Sequence, residues 1–515
     1  MKHASLIFRA VVALLLMITF FTLALAASAG LLYGGYELAA FTLSHVRGKG
    51  ILFLLLISAG MAAGGLVVLW SILPRWDRFT PPGPELLEAD QPQLFKEVRH
   101  VASLVGQQPP AHVYLVPDVN AFVTERGGWM GFGSRRVMGL GLGLLNILNV
   151  SELRAVIAHE FGHFHGGDTK LGPWIYKTRA AIIRTVQNLL KASDASAASE
   201  LEAVAWVMRA VGKPFEWFAH LYLRVTHAIS RAQEYSADKI AVSTQGASAL
   251  IGGLKKSHRG ALAFDPFMRM ELGPLLEQKR RPPLGEGFRR FVAAEEIARQ
   301  LGELEKEELE QGKQDPYDTH PPLRERIRHA ESLQAPSLEE DPRPAVELLA
   351  DVAGLEARLI SEWTEVDLTP IGWEESAMAF APLWRKVRTD LARALGTCTL
   401  REFPTDLNTL RRVVSQMVDQ DVSGADEEEL RRWISGTYAS AISGMLIDSG
   451  FTASQSPGMP IEFRRGETCV VPAPLVRRYV RGELGPSEWE ATWRELGLAD
   501  MPIGAEFSNA PPLAS

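Results

Sequence analysis

Residues 10–36 and 51–73 contain no Asp, Glu, Lys or Arg. A membrane-spanning helix needs roughly 20 apolar residues at about 1.5 Å rise each, and both stretches are long enough. Residues 1–73 hold Lys2, Arg9, Arg47 and Lys49 as cations and Glu37 as their one acid. The simplest reading is a transmembrane hairpin over 1–73. The competing reading is a cleaved signal peptide, with Lys2 and Arg9 as its charged start and Ala27-Ser28-Ala29 as a small-residue cleavage site. The apolar run continues well past that site, which favours the hairpin. Either way the remainder is expected on the cytoplasmic side. Lys2 and Arg9 hold the start of the hairpin inside and two crossings return the chain there, whereas after cleavage residues 51–73 would act as a stop-transfer segment. Arg75 and Arg78 agree, and Arg47 and Lys49 in the short loop count against it. The expectation is an integral, multi-pass membrane protein with the lipid bilayer as a partner.

The remaining residues read as soluble. They carry 50 of the 54 Lys and Arg and 60 of the 61 Asp and Glu, so the body is more acidic than the overall charge of −7 suggests. That balance excludes a broadly basic nucleic-acid binder. A hydrophobic content of 46 % excludes a mainly disordered chain. Cys398 and Cys469 are the two cysteines, too few for a disulfide framework or a thiolate metal site. At 515 residues the chain should hold several folding units.

The expected fold class is α+β and mostly helical. The membrane hairpin is followed by a domain with a small sheet over 74–334, a mainly helical domain over 345–500 and a disordered tail over 501–515. Thr80-Pro81-Pro82-Gly83-Pro84 reads as a stiff linker, and residues 336–344 as an acidic, proline-bearing one. Apolar spacing predicts helices over 85–107, 151–165 and 174–240 and a charged, solvated helix over 294–312. Short strands are predicted at 112–116, 137–140 and near 461–471. Trp363, Trp373, Trp384, Trp433, Trp489 and Trp493 are expected to fill the core of the C-terminal domain. Gly139-Leu140-Gly141-Leu142-Gly143 is not a dinucleotide fingerprint, because Leu144 and Asn146 stand where the third glycine belongs.

His159-Glu160-Phe161-Gly162-His163 is an HExxH motif on a predicted amphipathic helix. Histidines four apart lie on one helix face, where two imidazoles can bind one Zn²⁺. Glu160 adjoins the first of them. Zinc lowers the pKa of a water it holds to about 7, within reach of a carboxylate acting as base. With twelve histidines in the chain, about 0.02 such matches are expected by chance. A metzincin-type third ligand is missing: Gly166 is in place, but Thr169 stands where histidine is required, and Asp168 is one residue out of register. His165 follows His163 by two residues and should face away from the metal. A carboxylate on a later helix is the alternative. Ser230–Asp238 offers Glu234 and Asp238, four apart on one face. Glu234 would ligate zinc, and Asp238 would accept the other ring N–H of a zinc histidine.

Together with Asn120-Ala121-Phe122, the Gly141–Leu145 run, Glu152–His163 and Ser230–Asp238, these residues resemble the HtpX-like membrane-bound zinc metallopeptidases. That family is related to the zinc-dependent CAAX prenyl proteases. Thr319-His320-Pro321-Pro322 followed by Arg326 resembles a third signature of the family. The resemblance covers roughly residues 75–330. It implies a gluzincin fold, endopeptidase activity on protein or peptide substrates, and one Zn²⁺ per chain. His159, His163 and Glu234 would be ligands, Glu160 the general base and Asp238 the supporting carboxylate. His320 and Arg326 would stabilise the oxyanion. Asn120, Ala121 and Phe122 would lie on an edge strand that pairs with extended substrate. It also suggests a role in membrane-protein quality control.

The chain departs from this pattern in two places. Relatives can carry further spans between HExxH and the third ligand. Here Lys177, Arg179, Arg184, Lys191, Arg209, Lys213 and Arg224 occupy that interval, and a central Lys or Arg costs about 2.5–3.5 kcal/mol in a span. Trp174, Trp206 and Trp217 among those cations fit either a helix on the membrane surface or ordinary core packing. Residues 345–515 match no part of the family core. A different class of function follows from that region: a membrane scaffold with a structural or vestigial zinc site. An intact Glu160 argues against it, because a structural site has no use for a base. Oligomeric state is not legible.

Overall fold

Among the described residues, two helices are long and apolar enough to cross a membrane, and they are α1 (Lys2–His45) and α2 (Gly50–Ile72). The computed structural model describes all residues except 1, 49, 74–78, 129–132, 165–171, 200, 312–320, 337, 365, 420–421, 423 and 505–515, and the side chains of 2–10, 172–177, 227–228 and 311. Small residues bring the two helices together. A Cβ on Gly65 would lie 2.9 Å from the Ser28 carbonyl oxygen, and one on Gly35 would lie 3.0 Å from that of Ser58. The serines answer in kind: Ser28 Oγ donates to Gly65 O at 2.8 Å and Ser58 Oγ to Gly35 O at 2.6 Å. Close backbone approach of this sort holds helices together where the surroundings are as apolar as the side chains. Ala27-Ser28-Ala29, the candidate cleavage site, lies in mid-helix.

The chain continues through β1 (Glu85–Leu86), α3 (Pro92–Val105), β2 (His112–Val116), β3 (Ala121–Arg126), β4 (Arg135–Gly141), α4 (Leu142–Ile147), α5 (Val150–Gly162), α6 (Gly172–Ala198), α7 (Glu202–Gln245), α8 (Ala247–Phe267), α9 (Gly273–Glu277), β5 (Arg280–Arg281), α10 (Leu284–Ala293), α11 (Glu295–Gln311) and α12 (Leu323–Glu331). It is a mostly helical α+β protein. The predicted helix over 85–107 is shorter than expected. Pro92 starts α3, and Glu85 and Leu86 pair with Tyr114 and Val113 instead. Proline suits a first helical turn because its missing N–H has no partner there.

Two compact units are present. The first comprises residues 1–116, 120–258 and 304–350; the second comprises 117–119, 259–303 and 351–515. The chain passes between the units several times, the last of these at 350–351.

In the first unit the sheet order is β1-β2-β4-β3. β2 and β4 are parallel, and β3 is antiparallel to β4 with Ala121 opposite Leu140 and Val123 opposite Met138. β3 therefore forms an edge. The interval from α6 to α7, too charged for a plain span, lies against the apolar hairpin. Phe20, Ala24, Val68 and Ile72 share one buried cluster with Ile182, Leu189, Val204, Met208, Phe215, Phe218 and Tyr222. Gly60 makes room for Val207, whose Cβ would sit 3.2 Å from an added methyl. Polar groups of α6 are satisfied locally: Arg184 Nε donates to Ser71 O at 2.8 Å and Asn188 Nδ2 to Ser71 Oγ at 2.9 Å. Core packing thus accounts for one face of α7, while Trp206 and Trp217 stay largely exposed on another. The expectation for Trp174 lies outside the described residues. Residues 341–345 run along the start of α5 rather than as a free linker: Val150 N donates to Arg343 O at 2.9 Å, and Ala345 N to Leu148 O at 2.9 Å.

The second unit adds α13 (Val352–Ser361), β6 (Thr369–Pro370), α14 (Trp373–Ser376), α15 (Ala381–Leu395), α16 (Leu407–Val418), α17 (Glu427–Asp448), β7 (Thr452–Ser454), β8 (Glu462–Arg465), β9 (Thr468–Val470), α18 (Pro472–Val480) and α19 (Pro486–Glu495). β7, β8 and β9 form an antiparallel meander. Of the six tryptophans expected in its core, Trp373, Trp384, Trp489 and Trp493 are buried, whereas Trp363 and Trp433 are exposed at 40 % and 36 %. Buried Trp373 is held by two devices. Its Nε1 donates to Pro283 O at 2.8 Å, and Gly287 leaves the space its ring fills.

Candidate metal centre and active site

The site is assembled on two helices that cross at a glycine. α5 begins with a reciprocal cap: Asn149 Oδ1 accepts from Glu152 N at 2.8 Å, and Glu152 Oε2 accepts from Asn149 N at 2.8 Å. This arrangement satisfies two of the donors that a helix start leaves open. His159 lies in the last turn of α5, and His163 is its helical C-terminal cap residue. Their ring centroids are 4.8 Å apart. Gly162, between them, meets α7, where an added Cβ would lie 2.8 Å from Ala237 Cα. The glycine lets α7 approach closely enough to present Glu234 and Asp238.

His159, His163 and Glu234 converge, with one ligand atom of each lying within 4.8 Å of the other two. His159 Nε2 is 3.4 Å from Glu234 Oε2, and His163 Nε2 is 3.7 Å from Glu234 Oε1. Asp238, fully buried, places Oδ1 2.9 Å from His159 Nδ1. Arg326 of α12 then clamps Asp238, with Nε donating to Oδ2 at 3.0 Å and Nη2 to Oδ1 at 2.6 Å. A second contact ties α12 to α7 beside this one. Tyr235 Oη donates to Glu325 Oε2 at 2.8 Å, and the Tyr235 ring meets His329 edge-on. Neither Tyr235 nor Glu325 was anticipated; their signal was adjacency to Glu234 and Arg326.

The charges are mutually conditioned. Burial works against an ionised Asp238, but hydrogen bonds from His159 and Arg326 outweigh it and hold the carboxyl below its usual range. Burial also works against a charged His159, yet its bonds to Asp238 and Glu234 lift it to about 9. Two carboxylates thus make this pocket favour a bound positive charge. Burial pushes the Glu160 carboxyl up, opposed in part by nearby His159 and by the Val123 backbone N–H of β3.

Zn²⁺ fits this donor set. Tetrahedral bonds of about 2.0–2.2 Å separate neighbouring ligand atoms by roughly 3.3–3.6 Å, and the 3.4 Å from His159 Nε2 to Glu234 Oε2 is of that size. An ionised Asp238 can only accept, so His159 Nδ1 carries the proton and Nε2 faces the cluster.

Of the residues singled out from sequence, His159, Glu160, His163, Glu234, Asp238 and Arg326 come together. Ala121 and Phe122 lie on β3, and Asn120 immediately precedes it, accepting from Gly141 N through its carbonyl at 2.8 Å. His320, and with it His165, Gly166, Asp168 and Thr169, lie outside the described residues.

The model described as Peptidase family M48 matches residues 88–334, the interval that holds every residue of this cluster. Over that interval the chain is similar to peptidase family M48. A protease HtpX homolog of Ralstonia pickettii (strain 12J) is 30 % identical over 199 residues, which is 38 % of this chain and 65 % of that one. The match therefore spans just under two thirds of that relative. A protease HtpX homolog of Acidiphilium cryptum (strain JF-5) is 29 % identical over 286 residues, 55 % of this chain and 86 % of the relative. One of Paenarthrobacter aurescens (strain TC1) is 28 % identical over 251 residues, 48 % and 74 % of the two chains. No solved structure matches the chain. At this helix crossing, Gly162→Ala is expected to be costly. The new methyl would overpack a helix crossing, a change worth about 1–3 kcal/mol. A lowered thermal midpoint together with weaker zinc retention checks it; an unchanged midpoint would mean that α7 yields freely.

Proposed function

We propose that this chain is a membrane-anchored, zinc-dependent endopeptidase with its M48 segment on the cytoplasmic side and protein or peptide substrates. The observation that carries this is the convergence of His159, His163 and Glu234 with Glu160 alongside. The three converging residues would hold the metal. Bound there, Zn²⁺ would supply Lewis-acid activation of water and of the scissile carbonyl.

The chain's own residues do the rest. Glu160, whose carboxyl burial pushes up toward the range of a useful base, takes a proton from the attacking water. It returns that proton to the departing amine as the C–N bond breaks. Asp238 keeps His159 in the tautomer that leaves Nε2 toward the cluster. Arg326 spends Nε and Nη2 on Asp238, so we assign it to holding that carboxylate, rather than to the oxyanion. β3 offers an open strand edge next to Glu160, through the Val123 N–H. An extended substrate would lie along Asn120, Ala121 and Phe122 by strand addition.

We read α1 and α2 as an uncleaved hairpin, because Ser28, within the alternative cleavage site, is bonded to Gly65 of α2. The names of the relatives support the peptidase activity, and the family resemblance suggests misfolded membrane proteins as substrates. Treatment with 1,10-phenanthroline should reduce casein cleavage by the purified protein to background, and added Zn²⁺ should restore it. Full cleavage by protein shown to be free of metal would refute the proposal.

A further inference from the structure

Residues 351–515 carry 16 Lys and Arg against 25 Asp and Glu. One groove in the second unit runs against that balance. It lies between α17 and α18, has a volume of about 170 Å³, and is lined by Arg431 and Arg432 on one side and Arg477 and Arg481 on the other. Between them are Ser435, Gly436, Ala439 and Ala473. No bulky side chain fills the space among the four guanidinium groups.

Two of the four are held in place. Arg431 Nε donates to Glu427 at 2.9 Å and Nη1 donates to the Val480 carbonyl, while Arg481 donates to Glu428. Arg432 and Arg477 have no ion pair and no side-chain hydrogen bond among the described residues. Glu427 and Glu428 are thus committed to Arg431 and Arg481, and Arg432 and Arg477 are left without an ion pair among the described residues. Guanidinium groups present paired N–H donors in a planar fork that matches two oxygens of a phosphate. A single carboxylate would offset one unpaired arginine, whereas a phosphate can engage both.

We propose that this groove binds a phosphate group, carried either by a small organic phosphate or by a phospholipid headgroup. None of its lining residues belongs to the His159–His163–Glu234 cluster, so the inference stands or falls independently of peptidase activity.

Hydrogen–deuterium exchange on the full chain tests it, read over residues 431–439 and 473–481. One arm titrates glycerol 3-phosphate onto protein in dodecyl maltoside micelles, which carry no phosphate. The other compares those micelles with nanodiscs containing phosphatidylglycerol. Both segments should be protected in at least one arm, and the arm identifies the source. The double variant Arg432→Gln, Arg477→Gln changes two exposed side chains. It should weaken the protection about tenfold or more, as loss of charge-assisted bonds to a phosphate would, with the melting temperature unchanged. The proposal is overturned by no protection in either arm, by equal protection of the double variant, or by stronger protection from a polyglutamate peptide than from either phosphate.

Discussion

Glu160→Gln is expected to lower casein cleavage by about 10²–10⁴-fold, the usual contribution of a positioned acid–base group, with zinc still bound at one ion per chain. Glutamine keeps the size and the hydrogen-bonding capacity of the side chain but can neither take a proton from water nor return one to the amine. Glu160 is not among the three converging ligand atoms, so metal content should stay unchanged. Activity and metal analysis must therefore separate. Cleavage at the parent rate would remove Glu160 from the chemistry. Loss of zinc along with activity would mean that the carboxylate holds the site together rather than serving as its base. Stoichiometric zinc with no cleavage by the parent protein itself would favour the scaffold reading.

The site was unevenly legible in the sequence, for physical reasons. His159, Glu160 and His163 announce themselves because helical periodicity alone puts i and i+4 on one face. Glu234 and Asp238 share a helix for the same reason, but periodicity does not say which helix will meet α5. That depends on Gly162, whose missing side chain admits Ala237, and one glycine among 44 carries no such message by itself. Arg326 was found through a motif, while its pairing with Asp238 was not, because a guanidinium can reach a carboxylate or an oxyanion with the same N–H groups. Tyr235 and Glu325 are local neighbours of known positions, and only the fold brings them into contact. The charged interval from α6 to α7 was hardest. Its composition denies a plain span, yet Phe215, Phe218 and Tyr222 bury themselves against Phe20, and Arg184 finds a backbone carbonyl. Hydropathy averages over a helix and so cannot register that one face is apolar and the other is not. The same averaging hid Trp363 and Trp433, which share their region's composition with four buried tryptophans.

Glu234→Ala should weaken zinc retention by more than about 100-fold, beyond the 10–100-fold that loss of a supporting carboxylate costs, and cleavage should fall to background with it. The reason lies in how α7 is built. One continuous helix buries Val204, Met208, Phe215, Phe218 and Tyr222 against α1 and α2 and, farther along, presents Glu234 and Asp238 to α5. Deleting the carboxylate leaves His159 still bonded to Asp238, so the two histidines keep their places with one ligand missing. The fold should survive, because the packing of α7 on the hairpin does not involve that side chain. Metal analysis after dialysis, set beside a thermal melt, separates these effects. Retained zinc and activity would place the third ligand elsewhere in the chain. Loss of the melting transition along with the zinc would show that the metal, rather than the helix packing, holds α5 and α7 together.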